Sequence, residues 1–331
     1  DENGTLSYYF FSFSEKTVIR LYPSRMTKSN LMMLAPINYW EVTFPGKNGM
    51  STDAIQQFLI ERSHATGIFM DKYIRGRGAW MEDGEVIIHE GEFIVQGNQK
   101  TPIREFESDY VYEIGENMDF GGYESLKTSE SGQLIDYLDK LKWERPINSY
   151  LLAGWCVIAP FCGVLPWRPH IWVTGPAGSG KSWVMENIVK TLMGETAIVV
   201  QGKTTEAGIR GRLQADARPI LFDESDIDSI NDKERIQGII SAARASSYSD
   251  GGGILKGTQT GTSRSYVSRS CYAFSSIGVH VNNQSDRSRF TMLGLMAHDK
   301  TQKKDDFKRF MIDWSNSINK EWVHKLHART M

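Results

Sequence analysis

The chain is organised around the stretch Gly175-Pro176-Ala177-Gly178-Ser179-Gly180-Lys181-Ser182. An apolar run at 171–174 precedes this stretch, and a helix-like run at 183–192 follows it. Glycines let the backbone curl without Cβ clashes, so several N–H groups can point at one anion, and the positive end of the helix dipole adds to that attraction. Strand, glycine-rich loop, Lys-Ser and helix together predict a loop that binds the phosphates of a nucleoside triphosphate.

The residue types in this loop predict individual roles. We expect the whole stretch from Gly175 to Ser182 to contact ATP through its backbone. Lys181 is expected to reach the β- and γ-phosphates, and the Ser182 hydroxyl is expected to ligate Mg2+. The alternative is a chance match in a glycine-rich turn, and the flanking strand and helix patterns argue against it.

A second apolar run, at 219–222, ends in Asp223 and Glu224. Adjacent strand residues point to opposite faces, so the two carboxylates suit different tasks. We expect Asp223 to hold Mg2+ through its water shell and Glu224 to orient and polarise the attacking water. A pair of solvated acids is the alternative. On the next strand, Ser276, or else Asn282 in the loop after it, is expected to sense the γ-phosphate by hydrogen bonding.

Two arginines follow that strand, in the segment Asp286-Arg287-Ser288-Arg289. Phosphoryl transfer requires positive charge on the γ-phosphate in the transition state. We therefore expect Arg287 or Arg289 to act in trans, as an arginine finger on the nucleotide of a neighbouring subunit. Local pairing with Asp286 is the alternative.

The segment from 251 to 290 is basic, with five lysines and arginines against one aspartate, although the whole chain has a formal net charge of −2. Glycines flank Lys256, and the chain near 266–269 has the pattern of a returning hairpin arm. We expect Lys256 and Arg264 on this hairpin to contact the phosphates of single-stranded DNA. The alternative is a solvated loop without a ligand.

The composition is that of an ordinary soluble protein, with 40% hydrophobic and 24% charged residues. Its three cysteines, Cys156, Cys162 and Cys271, have no metal-ligand spacing and cannot all pair. They predict buried thiols in a reducing compartment, hence the cytoplasm, or the host-cell cytoplasm for a viral protein. The most apolar stretch, 151–165, is too short to span a bilayer and predicts a core helix, and no contact with a membrane is expected.

The chain is long enough for two domains. Residues 1–130 are rich in short strand patterns, including a hairpin signal at Asp83-Gly84, and predict a small β-rich α+β domain. A Gly-, Ser- and Glu-rich linker is expected at 121–132. In residues 131–331, strand and helix patterns alternate, which predicts an α/β domain with a parallel sheet covered by helices. An apolar stripe at 307–322 predicts one closing helix that packs on the core or against another subunit.

Several of these motifs occur together in one known family. They are Trp167-Arg168-Pro169-His170 before the loop, the runs 217–224 and 256–258, the run 269–277, and the run 286–289. In this combination the chain resembles superfamily 3 helicases of the AAA+ class, and most specifically the helicase portion of phage and mobile-element primase-helicases. The resemblance covers about residues 148–295. It departs from the family at Ser275-Ser276, where these helicases usually carry Asn.

The resemblance implies an AAA+ P-loop NTPase core that assembles as a homo-oligomer, a hexameric ring. It implies ATP hydrolysis between subunits, with Mg2+, and movement on single-stranded DNA to unwind duplex during replication. A primase or a polymerase is the further partner it suggests. The competing hypothesis is an AAA+ assembly or loading factor, which remodels a protein or nucleoprotein partner without unwinding.

Overall fold

A computed structural model describes residues 6–12, 17–47, 49–121, 124–223, 230–248, 267–279, 284–297 and 304–331. The described residues fall into two compact units. The first unit contains those of Asp1–Arg75 and Glu107–Ile114, and the second contains those of Gly76–Phe106, Gly115–Gly253 and Val267–Met331. No helix within these ranges is both long enough and apolar enough to cross a membrane.

The strands are β1 Tyr8–Ser12, β2 Thr17–Leu21, β3 Pro45–Gly46, β4 Gly49–Met50, β5 Ile74–Arg75, β6 Gly78–Glu82, β7 Glu85–His89, β8 Phe93–Gln96, β9 Gln99–Pro102, β10 Val111–Tyr112, β11 His170–Thr174, β12 Ile198–Val200, β13 Ile220–Phe222, β14 Tyr272–Ser276 and β15 Phe290–Gly294. The helices are α1 Lys28–Leu31, α2 Ile37–Thr43, α3 Thr52–Thr66, α4 Thr128–Ser131, α5 Gln133–Leu138, α6 Ile147–Ile158, α7 Lys181–Trp183, α8 Lys190–Met193, α9 Glu206–Leu213, α10 Ile230–Ser246, α11 Gln284–Arg287, α12 Lys304–Ser317 and α13 Lys320–Thr330. Between α7 and α8, Val184–Val189 is π-helical, so the chain from 181 to 193 is one continuous helix.

The first unit is built on the antiparallel β1–β2 hairpin and the helix α3. Side chains on one face of the hairpin, Tyr8, Ile19 and Leu21, pack in a core with residues of α2 and α3 such as Trp40 and Ile55. Ser51 caps α3 by accepting a hydrogen bond from the N–H of Ala54. A largely apolar cavity of about 900 Å³ opens beside the hairpin, and it contains none of the predicted site residues.

The second unit contains the predicted parallel sheet. Within the described ranges, five strands pair in parallel in the order β12-β13-β14-β11-β15. Because all five run in the same direction, their carboxyl ends lie along one edge and their amino ends along the other. The predicted α/β fold of a P-loop NTPase core, with a parallel sheet covered by helices, is confirmed.

Helices cover both faces of this sheet, which explains the apolar character of the strands. One face packs against α5, α6, the helix at 181–193 and the C-terminal helices, through residues such as Ile171, Val173 and Leu293. The opposite face packs against α9 and α10 through Trp172 and Phe274. We call these the loop-helix face and the α10 face. Neighbours in sequence therefore serve different cores, as alternation along a strand requires.

The predicted hairpin at Asp83-Gly84 is confirmed as the β6–β7 turn, with φ of 51° at Asp83 and 82° at Gly84. Its sheet, β6 to β9, packs in the second unit, although the predicted domain 1–130 would place it apart from the parallel sheet. Side chains of this sheet, Ala79 and Ile88, share a small core with Phe161, which follows α6. The compact units thus do not coincide with the predicted domains 1–130 and 131–331.

Two residues of the predicted linker at 121–132, Gly121 and Leu126, make close contacts with α13. Leu126 is 1% exposed in the main core, and its N–H donates to the carbonyl of Lys325 in α13. A Cβ on Gly121 would lie 3.1 Å from the Cα of His324. Glycine here serves a close backbone approach, which composition alone cannot distinguish from flexibility.

The single closing helix predicted from the stripe at 307–322 is wrong, because α12 and α13 are separate helices. The side chain of Asn319 accepts a hydrogen bond from the N–H of Trp322 and caps α13. The stripe itself packs as expected, since Trp314, Ile318 and Trp322 all lie in the main core.

Three histidines of the second unit are buried: His89, His170 and His327. His170, at the start of β11, accepts from the N–H of Tyr272 at Nδ1 and donates from Nε2 to the carbonyl of Ala243, at 3.1 and 2.7 Å. Burial lowers the pKa of His170 to about 3. Burial also lowers the pKa values of His89 and His327.

We predict that substitution of Gly163 by alanine destabilises the second unit. A Cβ there would lie 2.1 Å from the carbonyl oxygen of Ala79 in β6, so the sheet must shift, at a cost of about 1–3 kcal/mol. The matched control is Gly154→Ala in α6, where a Cβ meets nothing within 4 Å and stability should rise by about 0.4–1 kcal/mol. Urea unfolding measures both, and equal effects would contradict this packing.

We also predict that stability falls as pH drops below about 6.5. The unfolded state binds protons at its histidines there, whereas folded His170, with a pKa of about 3, stays neutral. His170 alone should cost about 2 kcal/mol between pH 6.5 and 4.5. Unfolding free energies measured across this range test the prediction. A flat profile would contradict it.

Candidate nucleotide-binding site

The phosphate loop follows β11 and has the backbone that the glycine pattern predicts. Gly175, Gly178 and Gly180 have φ values of 155°, 75° and 92°, in a region that disfavours other residues. A Cβ on Gly175 would lie only 2.4 Å from the carbonyl oxygen of Leu295, at the end of β15. The loop therefore lies directly against the end of the neighbouring strand.

Polar groups line the inside of this loop. Lys181 is 9% exposed, and its Nζ donates to the carbonyl oxygens of Gly175 and Pro176 at 2.9 and 3.0 Å. The buried hydroxyl of Ser179 has no hydrogen-bond partner among the described residues. Ser182, on the first turn of the helix, is exposed. A folded-back cation and an unpaired buried hydroxyl fit a polyphosphate anion, for which both groups are donors.

The helix at 181–193 directs its amino end at the same place. The N–H groups of Lys181, Ser182 and Trp183 have no acceptor within the helix, because they belong to its first turn. The π-helical segment that follows packs inside the core, and the carbonyl of Asn187 accepts from the indole N–H of Trp314 in α12 at 2.8 Å. The main core thus fixes the direction of the helix.

Asp223 lies at the same edge of the sheet as the loop. It follows β13, whose last residue, Phe222, is level with Phe274 in β14 and Trp172 in β11. Phe222 packs on the α10 face, so alternation places the next residue, Asp223, on the loop-helix face. No cluster of three or more His, Cys, Asp or Glu side chains among the described residues could hold a metal alone. Mg2+ would take most of its ligands from phosphate and water, as it usually does.

The two serines at the end of β14 point in opposite directions. Ser276 accepts a hydrogen bond from the indole N–H of Trp172 at 2.7 Å, donates to the carbonyl of Gly278, and lies toward the α10 face. Ser275 is level with Val173, a residue of the loop-helix face. The sensing role predicted for Ser276 stays a prediction, but Ser275 shares the face of Asp223. Strand alternation is the pattern in the sequence that could have identified Ser275 as the serine on the face of Asp223.

The two candidate arginines lie at the opposite edge. Arg289 immediately precedes β15, and β15 runs parallel to β11 until Gly294 pairs with Thr174, the residue before the loop. Leu295 lies six positions after Arg289, a distance of roughly 20 Å along extended chain. Arg287 ends α11 and is exposed on the same side. Neither side chain can reach a nucleotide in the loop of its own chain.

The acid beside these arginines is engaged with a different cation. Asp286 is 3% exposed, and its Oδ1 lies 3.1 Å from Nη1 of Arg244 in α10. The guanidinium of Arg289 instead lies 5.6 Å from the ring centroid of Tyr248 and 6.0 Å from that of Trp167. The role of Arg287 or Arg289 in trans stays a prediction, and local pairing with Asp286 stays its alternative.

Several predicted residues lie outside the described residues. They are Glu224, Lys256, Arg264 and Asn282. Their predicted roles stay predictions. The described end of the expected hairpin, 267–270, is not a strand.

Comparison with known proteins gives similarity in solved structures only. No protein-family model matches the chain, and no curated protein sequence matches it. The similar structures include the active helicase Cch of SCCmec type IV, with 14% identity, a TM-score of 0.42, and coverage of 93% of this chain and 54% of that one. The apo A form of the NrS-1 C-terminal region has 11% identity, a TM-score of 0.39, and coverage of 85% and 63%. The JCV helicase, bound to a thiazolopyridine compound, has 13% identity, a TM-score of 0.35, and coverage of 62% and 56%.

The chain therefore spans between about half and two-thirds of the lengths of these proteins. What they do as whole proteins is not thereby assigned to this chain.

We predict that Gly175→Ala weakens ATP binding more than Gly178→Ala does. Both glycines have positive φ, but only at Gly175 would the new Cβ collide with a carbonyl, whereas Gly178 faces open space. Backbone strain alone costs about 1–2 kcal/mol, so Gly178→Ala should lose about tenfold in affinity and Gly175→Ala considerably more. Titration with a fluorescent ATP analogue measures both. Equal losses would show that the contact with Leu295 does not shape the loop.

Proposed function

We propose that this chain is the motor of an ATP-dependent replicative DNA helicase or translocase of phage or mobile-element type. It hydrolyses ATP between the subunits of a homo-oligomeric ring and moves on single-stranded DNA. One observation carries the proposal: the phosphate loop and Asp223 share one edge of the parallel sheet, while both candidate arginines lie at the other. The motif resemblance to superfamily 3 helicases supports the ring and its substrate.

The roles within one subunit follow from the positions of the side chains. Lys181 leaves the loop carbonyls and donates to the β- and γ-phosphates when ATP enters. Ser182 and Asp223 hold the Mg2+, which neutralises charge on those phosphates. Ser275, on the strand β14 between β13 and β11, donates a hydrogen bond to the γ-phosphate in this proposal. Glu224 is assigned the attacking water from the sequence alone.

The transition-state cation comes from a second copy of the chain. Arg287 or Arg289 of that second copy stabilises the negative charge that develops on the γ-phosphate, as arginine fingers do. The proposal follows from distance, because a subunit cannot bring its own arginines to its own loop. Hydrolysis therefore requires assembly, and the hexameric ring that the resemblance implies provides six equivalent junctions.

Single-stranded DNA is the proposed track. The basic segment at 251–290, with Lys256 and Arg264, supplies the charge for phosphate contacts. A primase or a polymerase is the proposed functional partner, on the motif resemblance alone. The second candidate function is an AAA+ assembly or loading factor, which would use the same nucleotide site on a protein or nucleoprotein partner.

We predict that Lys181→Ala and Arg289→Ala are each inactive as ATPases but recover activity when mixed. The Arg289→Ala subunit keeps an intact loop and the Lys181→Ala subunit keeps an intact arginine, so a junction between them is complete. A two-variant mixture should restore a measurable fraction of wild-type turnover in a phosphate-release assay. If Arg287 is the arginine finger, ATPase activity recovers only when Arg287→Ala is mixed with Lys181→Ala. Absence of recovery in both mixtures contradicts hydrolysis in trans.

We predict that single-stranded DNA stimulates the ATPase in a salt-sensitive way. Phosphate contacts release counterions, so stimulation should weaken steeply as salt rises. The Lys256→Ala variant should keep the ATPase rate measured without DNA and should show weaker stimulation by single-stranded DNA. The Glu224→Gln variant should bind ATP without cleaving it. A rate that responds to a protein partner and ignores DNA would favour the assembly factor.

A further inference from the structure

A largely apolar cavity of about 900 Å³ lies within the first unit. Its size is that of a binding site, for which about 300–1,000 Å³ is usual. Two of its lining side chains, Leu6 and Ile68, are 63% and 94% exposed, so the cavity opens to the solvent. None of the described residues that line it belongs to the proposed nucleotide site. The proposed ATPase chemistry therefore leaves this cavity without a function.

The cavity follows the outer edge of β1, which is the edge away from β2. Six consecutive residues, 6–11, line the cavity. Neighbouring side chains of a strand point to opposite faces, so Tyr8 and Tyr9 reach the cavity from different faces of the hairpin. Within the described ranges β1 pairs with β2 alone. A cavity that meets both faces of β1 must extend around this outer edge.

The main chain of Tyr9 is directed toward the same edge. Val18 of β2 donates its N–H to Oε1 of Glu113 at 2.7 Å, so this amide points away from β1. Val18 is level with Phe11, and two positions further along the ladder Arg20 is level with Tyr9. Hydrogen-bonded and non-hydrogen-bonded pairs alternate in an antiparallel ladder, so both of these pairs are non-hydrogen-bonded. The N–H and C=O of Tyr9 therefore point away from β2, and in the described part of the chain no backbone group outside the hairpin bonds to them.

The strand β1 lacks the features that usually keep an exposed edge from pairing. Its sequence, Tyr-Tyr-Phe-Phe-Ser, contains no charged residue and no proline. Charged side chains and prolines on edge strands normally prevent the addition of a further strand. An uncharged strand with outward-directed backbone groups is therefore suited to accept one.

A second stretch of chain, residues 66–69 at the end of α3 and just after it, also lines the cavity. The ring of Phe69 packs against that of Tyr9, with centroids 5.2 Å apart, which holds this stretch beside β1. Arg62, one turn before the end of α3, is exposed and lies with its guanidinium 5.8 Å from the ring centroid of Phe58. Among the described lining residues, Arg62 is the one lysine or arginine, and none is acidic. The cavity thus combines apolar walls with a single positive charge.

We infer that the outer edge of β1 docks an extended apolar segment of a partner protein, which adds to the hairpin as a strand and carries an acidic residue toward Arg62. The edge supplies main-chain hydrogen bonds, and the aromatic walls supply contacts for alternate side chains, which is the general form of recognition by strand addition. Docking at this edge does not depend on ATP hydrolysis, because none of the described residues involved belongs to the nucleotide site.

Single-stranded DNA fits the cavity less well. Aromatic rings would stack on bases, but a nucleic-acid site also needs several cations for the phosphates. The described lining residues provide Arg62 alone. An outward-directed strand backbone, moreover, selects a partner whose own donors and acceptors are spaced as in a strand. Both features favour a protein segment.

The first experiment titrates the full chain with a fluorescently labelled peptide, Asp-Val-Thr-Phe-Thr-Val-Thr-Asp, in which apolar residues alternate and aspartate stands at both ends. We expect saturable binding in the micromolar range by fluorescence anisotropy. The matched probe carries N-methyl groups on the phenylalanine and on the threonine after it, so each edge of the peptide loses a donor. Its affinity should fall at least about tenfold, because strand addition requires these amide groups.

Charge reversal tests whether the peptide lies beside Arg62. The Arg62→Glu variant should bind the aspartate peptide about tenfold more weakly and should prefer a peptide with lysine at both ends. Lys47→Glu is the matched control and should leave the affinity unchanged, because Lys47 is exposed on the same unit but does not line the cavity. A wild-type chain without ATPase activity would refute the proposed function and would leave these titrations unaffected.

Several results would overturn the inference. Absence of binding at aspartate-peptide concentrations up to about 1 mM would exclude the docking site. Equal affinities for the plain and N-methylated peptides would exclude strand addition, and an Arg62→Glu variant that binds like wild type would place the peptide elsewhere. Displacement of the peptide by a thymidine oligonucleotide would assign the edge to nucleic acid. Dissociation of the protein's own oligomers by the peptide would assign it to a second copy of the chain.

Discussion

The parallel direction of the strands in the second unit is the constraint on which the site depends. Parallel strands place all of their carboxyl ends at one edge, so the loop after β11, Asp223 after β13 and the serines that end β14 must lie near one another. The same rule sends whatever precedes β15 to the opposite edge. This topology would assemble most of the proposed phosphate site and would keep the two candidate arginines away from the loop of their own chain.

Strand β15 links the two halves of this arrangement. It begins next to Arg289 and leads to Leu295, whose carbonyl lies against Gly175 and whose N–H donates to Thr174 at 2.8 Å. One short, buried strand therefore runs from the arginine proposed to serve a neighbour to the loop proposed to bind a subunit's own ATP.

Sequence reasoning identified the elements where a local physical rule decides the structure. The glycine spacing predicted the loop, and the Asp83-Gly84 pair predicted its hairpin turn. Reasoning from composition failed where tertiary contacts decide. Gly121 looked like part of a flexible linker, but it permits a close approach to α13, and Leu126 beside it is buried. The break between α12 and α13 depends on a side-chain cap at Asn319 that an apolar stripe does not show.

The residues of the candidate site also divide into those that a local rule predicts and those whose position depends on tertiary contacts. The loop residues could be predicted because the glycine spacing fixes the backbone conformation, with positive φ at Gly175, Gly178 and Gly180. The choice between Ser275 and Ser276 depends on which face each occupies, and that became visible only from the strand register. The contact between Trp167 and Tyr248 could not be predicted from the sequence, since the two residues are distant in the chain and meet only through a backbone bridge beyond the end of α10.

The most direct measurement is a structure determined by electron cryomicroscopy with a non-hydrolysable ATP analogue, Mg2+ and a single DNA strand. The account predicts a closed ring in which the analogue lies in the Gly175–Ser182 loop, with Arg287 or Arg289 of the adjacent subunit against its γ-phosphate. A nucleotide bound elsewhere, or one surrounded by groups of a single subunit, would contradict it.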